Sequence, residues 1–436
     1  MKYFLAFLLV TIGSSAMAQT AKEIQHAVLK ESYFLDSCYQ HLHAHPELST
    51  REIKTSAYLK KTIASYGFEI IDSLGLYSFA AVLRNGKGPA ILYRTDMDGL
   101  PVKEQTGLTF ASMETAEKDK QTVAVMHACG HDIHMTTWLG IAKQMSDMKS
   151  KWKGTLILLA QSAEETAQGA KRVVNASAFG QLPKPDAQLA IHDHAELKTG
   201  QAGFCDGYAL AAVDMLNITI YGKGGHGAAP QNTIDPILLS AQFINEIQTI
   251  VSRNLSSNDP AVITVGSING GTIGNVIPDQ VVLKLTIRSY SNESRALIFK
   301  RLHEIANGLA KAAGLPDEKM PLFDLLDMSI PAVYNDPALG NQLRTTMVNA
   351  FGSNSVTTVK PVMIGEDFSI YGQQETKIPS YLIWMGTVSE NRSQKYKQEN
   401  KSLPSLHAAS FAPDYHDTIQ QTVSMMTFSL LSLFSK

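Results

Sequence analysis

The chain has 436 residues, of which 44% are hydrophobic and 18% are charged, and its formal net charge is −2. This is the composition of an ordinary globular protein. The length favours two domains, because single cores stop growing at roughly 250–300 residues. A net charge near zero argues against a nucleic-acid partner, which would favour a basic surface. The three cysteines are too few for a disulfide framework.

The first 18 residues have the pattern of a secretory signal peptide. Lys2 supplies a positive charge, the apolar stretch Phe4–Ile12 follows, and Ala16-Met17-Ala18 forms an A-x-A cleavage site before Gln19. The apolar run is shorter than the roughly 18–20 residues that cross a membrane, so we expect no membrane span here. We expect a mature chain that starts at Gln19 and is exported to the periplasm or secreted.

Helices and buried strands are predicted to alternate in the first half of the chain. Ser49-x-x-Glu52 has the spacing of a capping box, which predicts a helix through Tyr66. Short uninterrupted apolar runs then predict strands buried on both faces. We expect these strands at Ala90–Tyr93, Thr155–Ala160 and Ala187–Ile191. A helix is expected between the first two strands, at about Met135–Met148. This order indicates an α/β fold with a mostly parallel sheet and helices on its faces.

The pattern changes from about Ala212, where the elements follow the β-α-β-β-α-β order of a compact ferredoxin-like domain. Its elements are expected at Met215–Tyr221, Ile234–Arg253, Ala261–Ile268, Gln280–Tyr290, Glu293–Ala313 and Met320–Asp327. A later strand at Tyr381–Met385 belongs to the first sheet, so the ferredoxin-like domain is an insertion. We therefore predict a signal peptide at 1–18, a discontinuous parallel-sheet domain at 19–211 and 330–436, and an inserted α+β domain at 212–329.

Two segments near the C-terminus are interpreted from composition. Asn391–Ser402 is rich in Lys, Gln and Asn, which predicts an exposed loop. Met425–Phe434 is apolar but too short to span a membrane, and we expect a helix that packs on the core.

The strongest chemical signal is the segment from Met126 to His134, which reads Met-His-Ala-Cys-Gly-His-Asp-Ile-His. Cys129 and His131 can aim at one point, as ligands of a soft or borderline metal ion do. Alone, such a pair is more often a buried cysteine beside a surface histidine. The pair gains weight from polar clusters at the ends of neighbouring strands, because the carboxyl ends of parallel strands share one edge of the sheet.

Three such clusters follow predicted strands. Glu164-Glu165 offers one carboxylate for a metal ion and another that can reach a nearby water, and two acids in one site need positive charge beside them. In His192-Asp193-His194 we expect one histidine to be a ligand, and the local sequence does not choose between the two. Asp96 and Asp98 are expected to orient a neighbouring His or Arg rather than to bind metal.

Three histidine patterns are weaker. His407 is isolated, and a lone histidine is more often structural. His41-x-His43-x-His45 directly precedes the predicted helix cap, and we favour no ligand role for it. The glycine-rich segment Gly222–Gly227 lacks the context of a P-loop or a dinucleotide site, so we expect a tight turn that presents His226.

Together these segments resemble the aminoacylase/carboxypeptidase family of metallopeptidases, and most closely its amidohydrolase branch, which includes hippurate hydrolase and the indole-acetyl-amino-acid hydrolases. The resemblance runs from about His45 to Phe411. The matching motifs are His45-Pro46-Glu47-Leu48-Ser49, Arg94-Thr95-Asp96-Met97-Asp98-Gly99-Leu100-Pro101, Met126-His127-Ala128-Cys129-Gly130-His131-Asp132, Gln161-Ser162-Ala163-Glu164-Glu165, Gly224-Gly225-His226, Asn275-Val276-Ile277-Pro278, Gly365-Glu366-Asp367-Phe368 and Leu406-His407.

The resemblance implies a catalytic domain with two divalent metal ions per subunit, zinc or manganese first and cobalt or nickel as further options. It also implies that the inserted domain is a lid that makes a homodimer. The implied metal ligands are Cys129, His131, Glu165, His192 and His407. The chain departs from the branch at Ala190–Glu196, where Gly-Leu-His-Val and a proline are more usual.

The resemblance also implies roles for residues that bind no metal. Glu164 would be the general base, and His226 would stabilise the oxyanion, commonly in the partner subunit's active site. Asn275 and Arg288 fall where the family grips a substrate carboxylate. Arg94 stands where other branches carry a metal-binding histidine, and we place it with Asp96 beside the ligands rather than among them.

These features predict a metal-dependent hydrolase that cleaves the amide bond of N-acyl amino acids, hippurate-like compounds among them, to a carboxylic acid and an amino acid. A metallo-carboxypeptidase or dipeptidase with the same machinery is the alternative within enzymes. An exported solute-binding protein is the alternative from another class, although such a protein needs no Glu-Glu pair beside a Cys/His cluster. A catalytically inactive relative is a third. No pattern in the sequence pairs Cys38 with Cys205.

Overall fold

The computed structural model describes residues 18–373 and 377–435. The predicted signal peptide lies outside these residues except for Ala18. Among the described residues, no helix combines the length and the hydropathy that crossing a membrane requires. The chain divides into two compact units. The first runs to Gly207 and also includes Tyr334–Lys360 and the residues from Ile370 onward, and the second consists of Tyr208–Val333 and Pro361–Ser369.

Helices and strands occur along the whole described chain. The helices are residues 18–30 (α1), Ser32–Ala44 (α2), Ile53–Ala64 (α3), His131–Asp147 (α4), Gly169–Val174 (α5), Pro236–Thr249 (α6), Asn292–Ala312 (α7), Pro337–Phe351 (α8), Glu390–Gln398 (α9) and Tyr415–Phe434 (α10). The strands are Glu69–Ile71 (β1), Phe79–Asn85 (β2), Ala90–Asp96 (β3), Thr115–Lys118 (β4), Gln121–Ala124 (β5), Gly154–Gln161 (β6), Ala187–Lys198 (β7), Ala202–Phe204 (β8), Gly207–Leu210 (β9), Ala212–Tyr221 (β10), Gly225–His226 (β11), Val262–Asn269 (β12), Val276–Ile277 (β13), Gln280–Ser289 (β14), Leu322–Leu325 (β15), Val333–Asn335 (β16), Val356–Thr358 (β17) and Ser380–Val388 (β18).

The first unit is built on an eight-stranded sheet in the order β1-β2-β6-β3-β7-β18-β8-β17. Its central strands are parallel, because β3 pairs in parallel with β6 and β7, and β18 pairs in parallel with β7. The predicted α/β class with a mostly parallel sheet is therefore confirmed. Strands β3 and β7 run further than predicted, to Asp96 and Lys198, so the polar residues Asp96 and His192 lie on the strands themselves.

Helix α4 is buried along nearly its whole length between the sheet and its neighbouring helices. Trp138 on this helix is fully buried and meets Phe79 of β2 edge to face, with 6.0 Å between ring centroids. Gly140 lets α10 approach closely, since a Cβ at this position would lie 2.6 Å from a methyl group of Val423. The predicted C-terminal helix does pack on the core, and it begins ten residues earlier than Met425, at Tyr415.

The second unit has the predicted β-α-β-β-α-β order. Strands β12, β14, β10 and β15 form an antiparallel sheet in that spatial order, and α6 and α7 supply the rest of the core. Alternating residues of β10 are buried, as in a strand with one face on helices. The guanidinium of Arg295 binds the buried Asp214 through two hydrogen bonds of 2.7 Å, which ties the start of α7 to β10.

The boundaries of this unit differ from the predicted 212–329. It begins at Tyr208, ends at Val333 and includes the separate segment Pro361–Ser369. Backbone hydrogen bonds explain the extra segment, because the N–H of Val362 donates to Ala209 O and the N–H of Ala211 donates to Ile364 O, both at 3.0 Å. Main-chain pairing of this kind has no side-chain signature in the sequence.

Two local predictions were wrong. The pair Ser49 and Glu52 is not a capping box, because α3 begins at Ile53 with no side-chain cap from Glu52. The exposed loop predicted at Asn391–Ser402 is mostly helix α9, whose N-cap Ser389 accepts a hydrogen bond from the N–H of Arg392. This helix has no apolar stripe, which is why hydrophobic periodicity missed it.

His43 on α2 joins three parts of the first unit. Its Nδ1 lies 2.7 Å from Asp132 Oδ2 and its Nε2 lies 3.0 Å from Glu104 Oε1, and the side chain is 1% exposed. Burial by itself lowers the pKa of His43, but the two carboxylates overcome this and raise the pKa to about 9. The pair Asp132 and Glu104 therefore favours the protonated imidazole in the folded chain.

We predict a pH-dependent loss of stability in His43→Gln. A pKa raised in the folded state gives stabilisation that is complete below the unfolded value of about 6.5 and is lost as the pH rises through about 9. At pH 6 the variant should lose about 3 kcal/mol of unfolding free energy in urea titrations, and this difference should shrink towards pH 10. His41→Gln, on the exposed face of the same helix, is the control. A difference that stays constant from pH 6 to 10 would contradict the assignment.

Candidate metal centre

Five side chains of the first unit converge beside the carboxyl ends of β3, β6 and β7. Cys129 Sγ lies 3.6 Å from His192 Nε2 and 3.1 Å from His407 Nε2. Glu165 Oε1 lies 3.5 Å from His407 Nε2 and 3.9 Å from His131 Nε2. These residues form two triads whose ligand atoms lie within 4.8 Å of one another: Cys129–His131–His192 and Cys129–Glu165–His407. Cys129 is common to both, so its thiolate could serve two neighbouring metal ions.

The backbone around Cys129 is held in one conformation. Gly130 has a φ of +84° and directly precedes α4, and a Cβ at this position would lie 2.2 Å from Asp193 Oδ2. Only glycine fits, and it places Cys129 before the helix and His131 on its first turn. His407 has a left-handed φ of +66°, and its N–H donates to Ala128 O at 2.8 Å. Two segments far apart in sequence are thus fixed beside each other.

Hydrogen bonds set the orientation of the two histidines in the first triad. His131 Nδ1 donates to the carbonyl oxygen of Asp98 at 2.8 Å, and His192 Nδ1 donates to the carbonyl oxygen of Asp193 at 3.0 Å. In each ring Nε2 is left to face the cluster, which is the usual way a protein fixes the tautomer of a metal ligand.

Two atoms of the cluster support metal binding directly. His131 Nε2 and Glu165 Oε1 are buried, and neither has a hydrogen-bond partner among the described residues. Buried polar atoms are nearly always paired, so such atoms call for a partner of another kind. A set of one thiolate, three imidazoles and one carboxylate suits zinc and other divalent transition metals.

The electrostatics of the cluster favour a cation. Burial by itself lowers the pKa of His131, but the carboxylates of Asp96, Asp98 and Glu165 overcome it and raise the pKa to about 10. Burial raises the pKa of Glu165 to about 7, with the charge of Asp98 adding to the effect. The same concentration of negative charge that holds a proton on His131 attracts a divalent metal ion.

Asp96 lies beside the ligands, between the guanidinium of Arg94 and the imidazole of His134. Its Oδ2 accepts from Arg94 Nη1 at 2.7 Å, its Oδ1 lies 2.7 Å from His134 Nδ1, and Oδ2 is 3.7 Å from His131 Nε2. Arg94 is 1% exposed and also donates from Nε to Gln161 Oε1. Burial would raise the pKa of Asp96, but His131, His134 and Arg94 hold it well below its ordinary value.

His134 was not singled out by sequence reasoning. Its Nε2 accepts the N–H of Asp193 at 3.0 Å, and the carbonyl of that same residue accepts from His192. His134 therefore connects Asp96 to the backbone that orients His192. Its position in the Met126–His134 segment was the only available signal, and spacing alone does not assign the role.

The structure distinguishes the two histidines of the His192-Asp193-His194 segment. Of these two histidines, only His192 belongs to a group of possible metal ligands among the described residues. His194 packs its ring against Trp384, with 5.4 Å between centroids, and its Nδ1 accepts the N–H of Glu196. The tract His41-x-His43-x-His45 joins no such cluster in the described chain either.

Glu164 lies beside the cluster, and its side chain is about as little exposed as that of Glu165, at 10% against 9%. Its Oε2 lies 4.0 Å from His131 Nε2. The turn that carries Glu164 and Glu165 follows β6 immediately and passes through Ala163, whose φ is +56°. Glu164 belongs to neither triad that contains Cys129. Its carboxylate does lie within ligand distance of His131 and Glu165, so it can reach a molecule held at the cluster.

The remaining predicted site residues lie in the second unit. His226 is exposed on β11, and Asn275 is exposed directly before β13, the strand that pairs with β11. The N–H of Gly227 donates to Asn275 O at 2.8 Å. Arg288 is half-buried on β14, opposite Val213 and Val262, and burial lowers the pKa of its guanidinium. No hydrogen-bond or ion-pair partner of the Arg288 side chain is found among the described residues. The structure thus brings His226 and Asn275 together and leaves Arg288 on the neighbouring sheet.

Known proteins resemble this chain in sequence. The model of the family described as Peptidase family M20/M25/M40 matches residues 92–410. The chain is 36% identical over 348 residues to the N-acetylcysteine deacetylase of Bacillus subtilis, which covers 79% of this chain and 86% of that protein. It is 34% identical over 392 residues to the N-acetyldiaminopimelate deacetylase of Limosilactobacillus fermentum. The matched region covers 89% of this chain and 94% of that protein.

A solved structure extends the likeness to the fold. The YXEP protein of Bacillus subtilis, described as a dinuclear metal-binding peptidase of the M20 family, matches with a TM-score of 0.74 at 29% identity, covering 92% of this chain and 97% of that one. The resemblance seen in the sequence motifs is confirmed: this chain belongs to peptidase family M20/M25/M40.

Proposed function

We propose that this protein is a metal-dependent amidohydrolase that cleaves the amide bond of N-acyl amino acids, N-acetyl and hippurate-like compounds among them. The observation that carries the proposal is the pair of metal-binding triads that share Cys129, with the carboxylate of Glu164 beside them. The relatives named as N-acetylcysteine and N-acetyldiaminopimelate deacetylases support the substrate class.

The two triads would hold two divalent cations, for which we propose zinc or manganese. When bound, such ions act as Lewis acids that activate a water molecule and polarise the substrate carbonyl. The protein fixes the donor atoms beforehand, since Asp98 and Asp193 orient the two imidazoles through their carbonyl oxygens.

Glu164 is suited to move the proton. A carboxylate at the edge of the cluster can take a proton from the attacking water on its Oε2 and later deliver it to the leaving amine nitrogen. Glu165 is less suited to this role, because its carboxylate belongs to a triad with Cys129, whereas Glu164 shares no triad with that cysteine.

For the second unit we propose substrate recognition. The unpaired guanidinium of Arg288 can bind a substrate carboxylate through two parallel hydrogen bonds. Asn275 would add a hydrogen bond to the same carboxylate, and His226 would donate to the oxyanion. These roles rest on the family resemblance together with the exposure of His226 and Asn275.

A metallo-carboxypeptidase or dipeptidase would use the same groups. It differs only in the acyl part of the substrate, which is an aminoacyl rather than a simple acyl group. No residue described above favours that reading over the amidohydrolase. A solute-binding protein has no use for an acid beside two metal triads, and the deacetylase relatives argue against it.

We predict that a panel of N-acetyl, N-benzoyl and dipeptide substrates, assayed after loading with Zn²⁺ or Mn²⁺, will show hydrolysis of N-acyl amino acids over dipeptides. Glu164→Gln should bind the metal equally well and lower kcat by about 10²–10⁴-fold, because general acid–base catalysis contributes that much. Preference for dipeptides would establish the alternative. Near-full activity of Glu164→Gln with bound metal would refute the base assignment.

We predict that His192→Ala and His194→Ala differ in metal content. The first removes a ligand atom from a triad and should lower the bound metal measured by mass spectrometry after dialysis, together with activity. The second removes a ring that packs on Trp384 and should retain both metal ions. Equal metal loss in the two variants, or greater loss in His194→Ala, would show that the assignment of His192 to the cluster is wrong.

We also propose export through the signal peptide at residues 1–18 and a homodimer formed through the second unit. The first rests on the pattern Lys2, Phe4–Ile12 and Ala16-Met17-Ala18, and the second on the family resemblance. N-terminal mass analysis of protein from the periplasm or medium should find Gln19 first, and light scattering should give twice the chain mass. An uncleaved N-terminus or a monomeric mass would contradict the respective proposal.

A further inference from the structure

Buried carboxylates outside the metal cluster bind the turn that carries the catalytic acids. Glu52 Oε1 accepts the N–H of Ala163 at 2.7 Å. Asp98 Oδ1 accepts the N–H of Glu164 at 3.2 Å, and Asp98 Oδ2 accepts the N–H of Glu165 at 3.0 Å. Three consecutive amides of the turn are thus held by two side chains from other parts of the chain.

This turn needs external support. It leaves the sheet after Gln161, so its amides have no strand partner, and Ala163 takes a left-handed φ of +56° that non-glycine residues adopt at a cost of roughly 1–2 kcal/mol. Conformations of this kind persist where the surroundings fix them. The acceptors on Glu52 and Asp98 are the groups that do so.

Glu52 has no other evident task. It is completely buried, and among the described residues its side chain also accepts the N–H of Thr50 at 3.0 Å, within its own loop. The first turn of α3 is served instead by Glu47, whose Oε2 accepts the N–H of Thr55 at 2.8 Å. Ser49, the other half of the supposed capping box, donates its hydroxyl to Asp98 Oδ2 at 2.5 Å. The Ser49–Glu52 motif therefore serves the turn rather than the helix.

We propose that Glu52 is a positioning residue for amide hydrolysis: by holding the N–H of Ala163 it fixes the backbone from which Glu164 extends. The proposal rests on the function proposed above. The hydrogen bonds found for the Glu52 side chain among the described residues go to backbone amides and not to a ligand atom, so its effect would be exerted through the placement of Glu164. A displacement of about 1 Å in a catalytic group can cost about 10²-fold in rate.

Glu52 acts here as a hydrogen-bond acceptor, and the role does not require its charge. Burial and the neighbouring charge of Asp98 raise the pKa of Glu52 to about 8, which favours its neutral form. A glutamine at this position offers the same acceptor oxygen in the same shape, whereas a leucine offers none and leaves the amide of Ala163 buried without a partner.

The test compares Glu52→Leu, Glu52→Gln and the matched control Glu47→Leu, all loaded with metal. Glu47 lies on the same segment and also accepts one backbone N–H, but that N–H belongs to α3. We expect Glu52→Leu to lower kcat about 10–100-fold, with KM and bound metal little changed. The kcat of Glu52→Gln should stay within about threefold of the parent value. Glu47→Leu should lower the stability of the protein and leave kcat unchanged. An unchanged kcat in Glu52→Leu, an equal kcat loss in Glu47→Leu, or loss of metal in Glu52→Leu would overturn the proposal.

Amide hydrogen exchange of the peptide covering residues 162–169 gives a second readout that needs no substrate. Exchange there should be faster in Glu52→Leu than in the parent or Glu47→Leu, and unchanged exchange would overturn the anchoring role. If the parent hydrolyses no N-acyl amino acid, the proposed function fails while this measurement still decides whether Glu52 holds the turn. If Glu52→Leu does not fold, Glu52→Ala takes its place in both measurements.

Discussion

The concentration of buried acids at the carboxyl edge of the sheet is the constraint on which the site depends. Carboxylates so close together cannot all be charged unless each finds compensation. Asp96 has Arg94 and His134, and Asp98 has two backbone amides and a hydroxyl. Burial and the charge of Asp98 raise the pKa of Glu52 to about 8, which favours its neutral form. Glu165 lies near the imidazoles of His407 and His131, and a metal ion bound at the cluster would compensate its charge further. The same charges thus account for both the rigidity of the site and its affinity for cations.

Much of the fold was predictable because the sheet is buried. Strands covered on both faces must be apolar throughout, so β3, β6 and β7 are visible as uninterrupted runs. Their last residues are polar because they face the site, which is why the predicted ends fell short at Tyr93 and Ile191. The ferredoxin-like unit was predictable for another reason, since most of β10 and all of β14 alternate between a buried and a more open face.

The parts that were missed depend on contacts between distant segments. Glu52 reads as a helix cap when only its neighbours are considered, and its true partner, Ala163, is more than a hundred residues away. His134 looks like any helical histidine until Asp96 and Asp193 are seen on either side of it. Conversely, the proximity of Cys129, His131, Glu165, His192 and His407 follows from strand order, because parallel strands bring their carboxyl ends to one edge.

The sharing of a single sulfur atom has a consequence for the durability of the centre. Because Cys129 belongs to both triads, two metal ions held by them would not be lost independently. Oxidation of this thiol to a sulfinic acid would deprive each position of its softest donor at once, and that step is irreversible for most proteins. The most easily oxidised donor of the cluster therefore lies at its centre, and the main protection of this thiol is its burial, since only 6% of Cys129 is exposed.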